Sequence, residues 1–405
     1  MDYGLVIRVK RNLAKLTLRE LGELTGISYG QLGKFERGDE KPSEEALNKI
    51  GKVLNISFEE YDKKDQEIEE LFVNFRENVL YYRDVNHYLT IVDNDSDYIH
   101  CRNYYKVLLM KYVLYVLNGR KEPVLVSIEK VLGCLLDSDA DCNQLFHQYI
   151  GVKYSTQYKF ELAIDYLEKA IAIKYDEAQN ALIYYHLGQC CLRNDMVLDA
   201  LQYFESAKEL FLKKSNYKRA FFCDGQLGSV YSRLGQNAKA IKQYQRCINN
   251  LHIVENDDNV KSITLSNMSW VLIKSKRYEE ALKYIEAAYR INPNKPNNIL
   301  HYSWCYYALG NYMEAYKWIS SGKAMFEKDS LNYRRLELFD ELCQARNARK
   351  VLQLAIQVFN EISENYDFEL KIFYLDIVIE QLLRKDDAKG ALRYAIIKIN
   401  LLENR

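Results

Sequence analysis

No set of residues in this chain has the spacing of a bond-making or metal site. The six histidines are scattered, with no HExxH and no Cys/His cluster at zinc spacing. The nine cysteines include no CxxC pair and one adjacent pair, Cys190–Cys191. P-loop and GxSxG motifs are absent, as is a Cys/His nucleophile pair. Neither enzyme activity nor a cofactor is expected. The residues whose types and spacing suit a chemical task lie within 16–43, LTLRELGELTGISYGQLGKFERGDEKPS. Cationic and hydrogen-bonding side chains fall there on two short helical segments separated by a glycine turn. Helix, short turn, helix is the geometry that sets a second helix into a DNA major groove. The chemistry it supports is recognition by charge and hydrogen bonding.

Those side chains need a small helical frame. Val6, Val9 and Leu13 lie on one helical face, with Arg8, Lys10, Arg11 and Lys15 mostly around the other, which predicts a first helix. Thr17 and Glu20 form a capping box for a second helix. That helix ends at Thr25-Gly26, where Gly supplies the positive φ of a tight turn. Ser28 caps a third helix over residues 29–36, and Gly38 stops it. Pro42-Ser43 opens a fourth, whose Ala46, Leu47, Ile50 and Leu54 repeat at helical spacing; Ile56 and Phe58 close the core. The charged stretch 59–66 (EEYDKKDQ) is the best domain boundary, giving a headpiece over 1–62 and a second domain over 63–405. An amphipathic helix over 68–82 begins that second domain.

The headpiece resembles the phage-repressor helix-turn-helix of the Xre/Cro family over about 55 residues. Matching points are Thr17, Leu21, Gly22, Leu24, Gly26-Ile27-Ser28, Leu32, Glu36-Arg37-Gly38 and Pro42-Ser43. Arg11 and Glu36 match a structural ion pair of that family. The resemblance implies that Tyr29, Gly30 and Lys34, with Ser28 and Gln31 beside them, meet bases. Lys34 could donate to guanine O6 and N7. Arg19, Arg37 and Lys41 would hold phosphates, which positions the helix without reading sequence. Leu18 stands where the family often has a phosphate-binding Gln. Gly30 and Gly33 each cost about 1 kcal/mol of helix propensity relative to Ala. Residues 1–60 hold ten basic and ten acidic side chains, so the headpiece is not strongly basic. The alternative is a helix-turn-helix kept as a dimerisation or docking unit.

Across 405 residues the 56 basic and 56 acidic side chains balance, so any nucleic-acid contact must come from a local surface. Apolar residues make up 48% and charged residues 28%, the mix of a soluble globular protein. With 4 Pro and 17 Gly in so long a chain, an all-α fold is expected. Scattered cysteines suit reduced thiols packed on apolar helix faces. Arg8, Lys10 and Arg11 interrupt the N-terminus before a signal-peptide apolar run forms, and no uncharged apolar stretch reaches membrane-spanning length. The expected setting is cytoplasmic, without a membrane.

From about residue 65 one pattern recurs. A Leu-Gly or similar pair is followed by an aromatic or apolar residue, then an alanine marker, then a second amphipathic helix. The alanine markers Ala163, Ala200, Ala240, Ala281 and Ala315 are 37, 40, 41 and 34 residues apart. The pattern is similar to the tetratricopeptide repeat, nominally 34 residues. Longer spacings imply helices extended by up to two turns. Gly151, Gly188 and Gly228, with the marker alanines, would let paired helices approach closely, and the repeats would stack into a right-handed superhelix. Residues 98–118 with 123–136, 331–345 with 348–364, and 368–384 with 387–402 read as flanking degenerate pairs.

Tetratricopeptide arrays bind peptides or partner helices in the groove formed by the first helix of each pair. The resemblance implies groove positions at Gln148, Tyr185, Gln189, Arg193, Ser229, Arg233, Asn267, Trp270, Lys274 and Trp304. Arg193, Arg233 and Lys274 recur at one position in three successive repeats, a basic ladder suited to an acidic peptide or terminal carboxylate. Trp270 and Trp304 occupy equivalent positions and could form a pocket or fill the packing between repeats. Asn267 could clamp a peptide backbone or serve the repeat itself.

A repressor-type headpiece followed by such an array resembles the RRNPP regulators. The resemblance implies a cytoplasmic homodimer that binds operator DNA and a short signalling peptide, as in quorum sensing. The peptide would tighten the array and change the spacing of two headpieces that must meet DNA about 34 Å apart. The alternative is a repeat protein that binds a protein partner and carries a vestigial headpiece.

Overall fold

The computed structural model describes residues 3–99, 101–120, 122–136, 139–173, 176–344, 347–363 and 368–403. Among the described residues there are helices and turns and no strand, so the fold is all-α. Four helices make the headpiece: α1 (Tyr3–Leu13), α2 (Leu18–Thr25), α3 (Tyr29–Arg37) and α4 (Glu44–Leu54). They are followed by α5 (Phe58–Leu80), α6 (Tyr88–Asp93), α7 (Tyr104–Leu117), α8 (Glu122–Leu132), α9 (Ala140–Thr156) and α10 (Phe160–Ala172). Successive pairs then run α11 (Glu177–Arg193) and α12 (Val197–Lys213), α13 (Tyr217–Arg233) and α14 (Asn237–Asn249), α15 (Asp258–Lys274) and α16 (Tyr278–Ile291). The last are α17 (Pro296–Ala308) and α18 (Tyr312–Met325), α19 (Leu331–Gln344) and α20 (Ala348–Ser363), α21 (Phe368–Leu383) and α22 (Ala388–Glu403). Two compact units result: Met1–Lys153 with Lys169–Asp176, and Tyr154–Glu168 with Glu177–Arg405.

Local chemistry sets the headpiece boundaries. Thr17 accepts from the Glu20 backbone N–H while Glu20 accepts from the Thr17 N–H at 2.7 Å, a complete capping box. Gly26 and Gly38 close α2 and α3 at φ 69° and 76°, a region where a Cβ is strained. Ser28 and Ser43 cap α3 and α4. The core is Val6, Ile7, Leu21, Leu32, Phe35, Ile50, Leu54 and Phe58, with Ala46, Leu47 and Ile56 packed against it. Leu13, expected on the buried face, is instead 68% exposed. Helix α1 ends there and the chain reverses at Lys15 (φ 57°), so the inward stripe passes through Val6 and Ile7. Gly4 shares that stripe, and a Cβ on it would lie 2.1 Å from the Phe35 carbonyl oxygen.

The charged stretch 59–66 forms the first turns of α5 rather than preceding it. Ser57 caps the helix, and Glu59–Lys63 and Glu60–Lys64 pair at i,i+4. The pair expected from residue 98 begins its first helix at Tyr104. Residues ahead of it are pinned to α5: Tyr98 donates to Glu67, and the Asn103 N–H donates to buried Asp65 at 2.9 Å.

In the second unit the repeat markers are core residues. Ala200, Phe204, Ala207, Ala240, Tyr244, Cys247, Ala281, Ile285, Ala288, Ala315 and Ile319 are all buried. Gly188 lets α11 close on α12, because a Cβ there would meet the Phe204 ring at 2.8 Å; Gly228 does the same for α13 against Tyr244. Helices α11, α13 and α15 have 17 residues where α17 has 13, about one added turn, and the longer α12 and the turn at Leu251–Val254 supply the rest of the 40- and 41-residue spacings. Helices α19 and α20 form the next pair; Ala345 and Glu364, where the sequence placed their ends, lie outside the described residues. Seven of the nine cysteines are buried and pack as small apolar side chains.

Candidate functional site

The outer face of α3 is open. Tyr29 is 59% exposed, and Gly30, Gln31, Lys34, Arg37 and Lys41 are exposed as well. The Arg19 guanidinium lies 5.5 Å from the Tyr29 ring centroid, joining the start of α2 to the start of α3. Ser28 uses its hydroxyl oxygen as the cap of α3, accepting from the Gln31 N–H at 3.2 Å. Gln31 and Lys34 both approach Glu40, at 3.4 and 3.7 Å, and Arg37 pairs with Asp39 at 2.7 Å. Two of the headpiece's ten acidic side chains, Asp39 and Glu40, thus sit on cations of the outer face of α3. Such exposed pairs are worth about 0–1 kcal/mol, so a phosphate can replace either carboxylate. A Cβ on Gly30 would meet nothing within 4 Å. Arg11 is bound to Glu36 through Nε and Nη2 at 2.6 and 2.9 Å and to the Leu16 carbonyl at 2.7 Å. It is a structural pair, as its resemblance implied.

The expected groove residues of the second unit have specific partners. Arg233 donates to the Leu192 carbonyl and to Asp195, the latter at 3.2 Å. Lys274 donates to the Ser232 carbonyl at 3.0 Å. In both, a ladder cation reaches the last turn of the previous repeat's first helix, where free carbonyls and the helix dipole favour positive charge. The ladder therefore ties repeat to repeat. Arg193 ends α11 and is exposed. Ser229 shares a 2.8 Å hydrogen bond with the buried Tyr244 hydroxyl, which Asn267 also contacts. Gln189 donates to Tyr185 at 3.4 Å. Gln148 lies on α9 in the first unit and is fully enclosed, so it offers no surface to a ligand.

Trp270, Lys274 and Trp304 converge on one helix, α21. The Glu369 carboxylate accepts from Lys274, from the Ser232 hydroxyl at 2.6 Å and from the Trp270 indole N–H at 3.2 Å. Phe373 stands between the two indoles, with ring centroids 5.3 Å from Trp270 and 4.7 Å from Trp304. On its other side Trp270 stacks on His301 at 5.6 Å and 15°. Ser269 donates its hydroxyl proton to the Ser266 carbonyl at 2.7 Å and so accepts from His301 Nδ1 at 2.8 Å. Burial, then the charge of Arg335, pushes the His301 imidazole down to about 3, so the ring is neutral near physiological pH. A cavity of about 360 Å³ adjoins the cluster, lined in part by Ser232, Arg233, Lys274 and Glu369. Sequence reading missed Ser232, Glu369, Phe373 and His301; only the fold brings the first three together.

Among the described residues no group of three or more His, Cys, Asp or Glu side chains could hold a metal ion, and no helix is long and apolar enough to cross a membrane.

Residues 7–61 match the Helix-turn-helix family HTH_3. Residues 219–294 and 272–337 match the Tetratricopeptide repeat families TPR_12 and TPR_19. The chain is similar to the transcriptional activator NprA of Geobacillus stearothermophilus, 21% identical over 271 residues. That match covers 64% of this chain and 65% of the relative, just under two thirds of its length. The fold is similar to a Rap protein complexed with Competence and Sporulation Factor, with TM-score 0.65 and 15% identity over 85% of this chain and 98% of that one. It is also similar to NprR in complex with its cognate peptide NprX, with TM-score 0.59 and 18% identity over 83% of this chain and 99% of that one. These matches give the chain an N-terminal helix-turn-helix followed by tetratricopeptide repeats, with a fold similar to those of the Rap protein and NprR.

Proposed function

We propose that the chain is a cytoplasmic transcriptional regulator that binds operator DNA as a homodimer and takes a short signalling peptide into the groove of its repeats, as a quorum-sensing receptor does. Residues 1–62 carry the DNA-binding role, and residues 63–405 carry peptide binding and dimerisation. The observation that carries the reading is the pairing, in one chain, of an α3 whose outer face is open with a groove whose Lys274 already holds a carboxylate. The likeness to a transcriptional activator and the fold shared with a peptide-bound NprR support it. Peptide binding shifts the population between dimers that can and cannot engage the operator, which needs about 1–3 kcal/mol of coupling.

The test is binding of the full chain to a labelled fragment from upstream of its own gene. It is run at two salt concentrations, with and without the small-peptide fraction of spent culture medium. Specific, salt-sensitive binding that the fraction alters is the expected result. Absence of specific binding in every condition would overturn the reading and direct attention to protein partners of the repeats.

Two substitutions sharpen the assignment of α3. Lys34→Ala is expected to weaken operator binding by about 1–3 kcal/mol. Its melting temperature should stay within error, because the Lys34–Glu40 pair is exposed on both sides. Anisotropy titrations against operator and scrambled DNA check this, and unchanged discrimination would remove Lys34 from the reading surface. Gly30→Ala is expected to stabilise the headpiece by about 1 kcal/mol, since the added methyl meets open space and helix propensity improves. The same variant should bind operator less tightly, because the methyl projects from the face that approaches DNA. A calorimetric melt beside the same titration separates the two effects.

A further inference from the structure

Helix α21 places two groups into the groove one turn apart. Glu369 is in its first turn, and Phe373 follows at i,i+4 on the same face. The Glu369 carboxylate collects three donors from two repeats far back in the sequence: Ser232 on α13, and Trp270 and Lys274 on α15. Lys274 and Glu369 are each 18% exposed, so the pair is largely withdrawn from water. Stacking of the repeats does not require this carboxylate, because Lys274 reaches the Ser232 carbonyl independently. Beside the cluster lies the cavity of about 360 Å³, where Arg233 and Lys274 face a single acidic lining residue, Glu369. That volume lies within the usual range of small-ligand pockets, roughly 300–1,000 Å³. The site thus has preformed donors and a cavity next to the group it already holds.

We propose that Ser232, Trp270 and Lys274 form a carboxylate-binding site in the groove, that Glu369 is the chain's own occupant of it, and that a peptide carboxylate displaces Glu369 on binding. This inference rests on the peptide-receptor reading and deepens it by naming the ligand chemistry. The ligand class is a short peptide carrying a carboxylate, from its C-terminus or from an Asp or Glu side chain, close to a large apolar residue. The carboxylate takes the three donors of Glu369, and the apolar side chain takes the place of Phe373 between Trp270 and Trp304. While Glu369 is seated, the competent fraction of the site is small, and apparent affinity is reduced by that fraction.

The test uses the full chain, immobilised, and a synthetic hexapeptide library in three forms. One has a free C-terminal carboxylate and no acidic side chain. The second is C-terminally amidated with one Asp or Glu. The third is amidated without acids. Captured peptides are counted by mass spectrometry. The native chain should retain the first form, the second, or both, which identifies the source of the carboxylate, and it should not retain the third. Glu369→Gln should retain about tenfold more of the same form, as expected when an internal competitor is removed. Lys274→Met should retain none. If a melt shows that Glu369→Gln does not fold, Phe373→Ala loosens the seat of α21 while leaving the Ser232, Trp270 and Lys274 side chains in place, and the same gain is expected. Equal capture by the native chain and both α21 variants, or capture of the acid-free form, would overturn the inference while leaving the peptide-receptor reading in place. No capture of any form by any protein would overturn that reading, and the inference with it.

Discussion

Arg11→Ala is expected to unfold the headpiece and abolish binding to every DNA sequence, while α11–α20 stay protected from hydrogen exchange. The guanidinium is engaged on three sides, by both Glu36 oxygens and the Leu16 carbonyl. The two side chains are 13% and 6% exposed, so water screens them little. Removing one partner of such a pair leaves a buried charge uncompensated, at a cost of about 3–5 kcal/mol. A headpiece of some 60 residues has roughly 3–9 kcal/mol of stability in total. The single substitution therefore removes most of it. Arg11→Met combined with Glu36→Leu should restore the melt, because apolar side chains can replace a buried pair at little or no cost. Hydrogen exchange on α1–α4 for the two singles and the double decides the matter. A double no more stable than either single would mean that Arg11 acts through something other than Glu36.

Gly228→Val is expected to destabilise the second unit by about 3 kcal/mol or more, the upper end of the usual cost of overpacking. A Cβ at Gly228 would lie 2.8–3.0 Å from three atoms of the Tyr244 ring. The ring cannot retreat freely. It is 2% exposed, and its hydroxyl is held by Ser229 at 2.8 Å and by Asn267. Gly228→Ala should cost less, since about 1 kcal/mol of helix propensity is returned. Gly228→Ala with Tyr244→Leu should recover part of the loss, giving a coupling energy in a double-mutant cycle. Because α13 also carries Ser232 and Arg233, displacing it should lower peptide capture before the unit unfolds. Thermal melts of the native chain, Gly228→Val, Gly228→Ala, Tyr244→Leu and the double variant check the order, and a Gly228→Val melt equal to the native one would show that the two helices can part without penalty.

Most of the headpiece was legible because its signals are local. The capping box of Thr17 and Glu20, the Ser28 cap and the glycines at 26 and 38 act within four residues of themselves, and the structure carries each of them. Leu13 failed as a core residue for the complementary reason. Periodicity assigns faces but does not mark where α1 stops, and its last residue swings into solvent. The neutral charge of the headpiece was also countable in advance. That Asp39 and Glu40 sit on the cations of α3 depends on the turn after Gly38.

In the repeats, sequence by itself determined the register. Small residues at a fixed phase mark where two helices must approach, and those positions are buried at each marker of the second unit. Equal phase also put Arg233 and Lys274 on one line. What they hold was decided only by the tertiary structure. Each cation reaches a carbonyl 41 or 42 residues back, and Lys274 meets a carboxylate 95 residues ahead. Such partners follow from how far the stack turns per repeat, a quantity set by the sum of many packing contacts and not by any single residue type. Phase along a helix is a property of neighbours three and four residues apart. The company that Trp270, Lys274 and Trp304 keep is a property of the whole second unit.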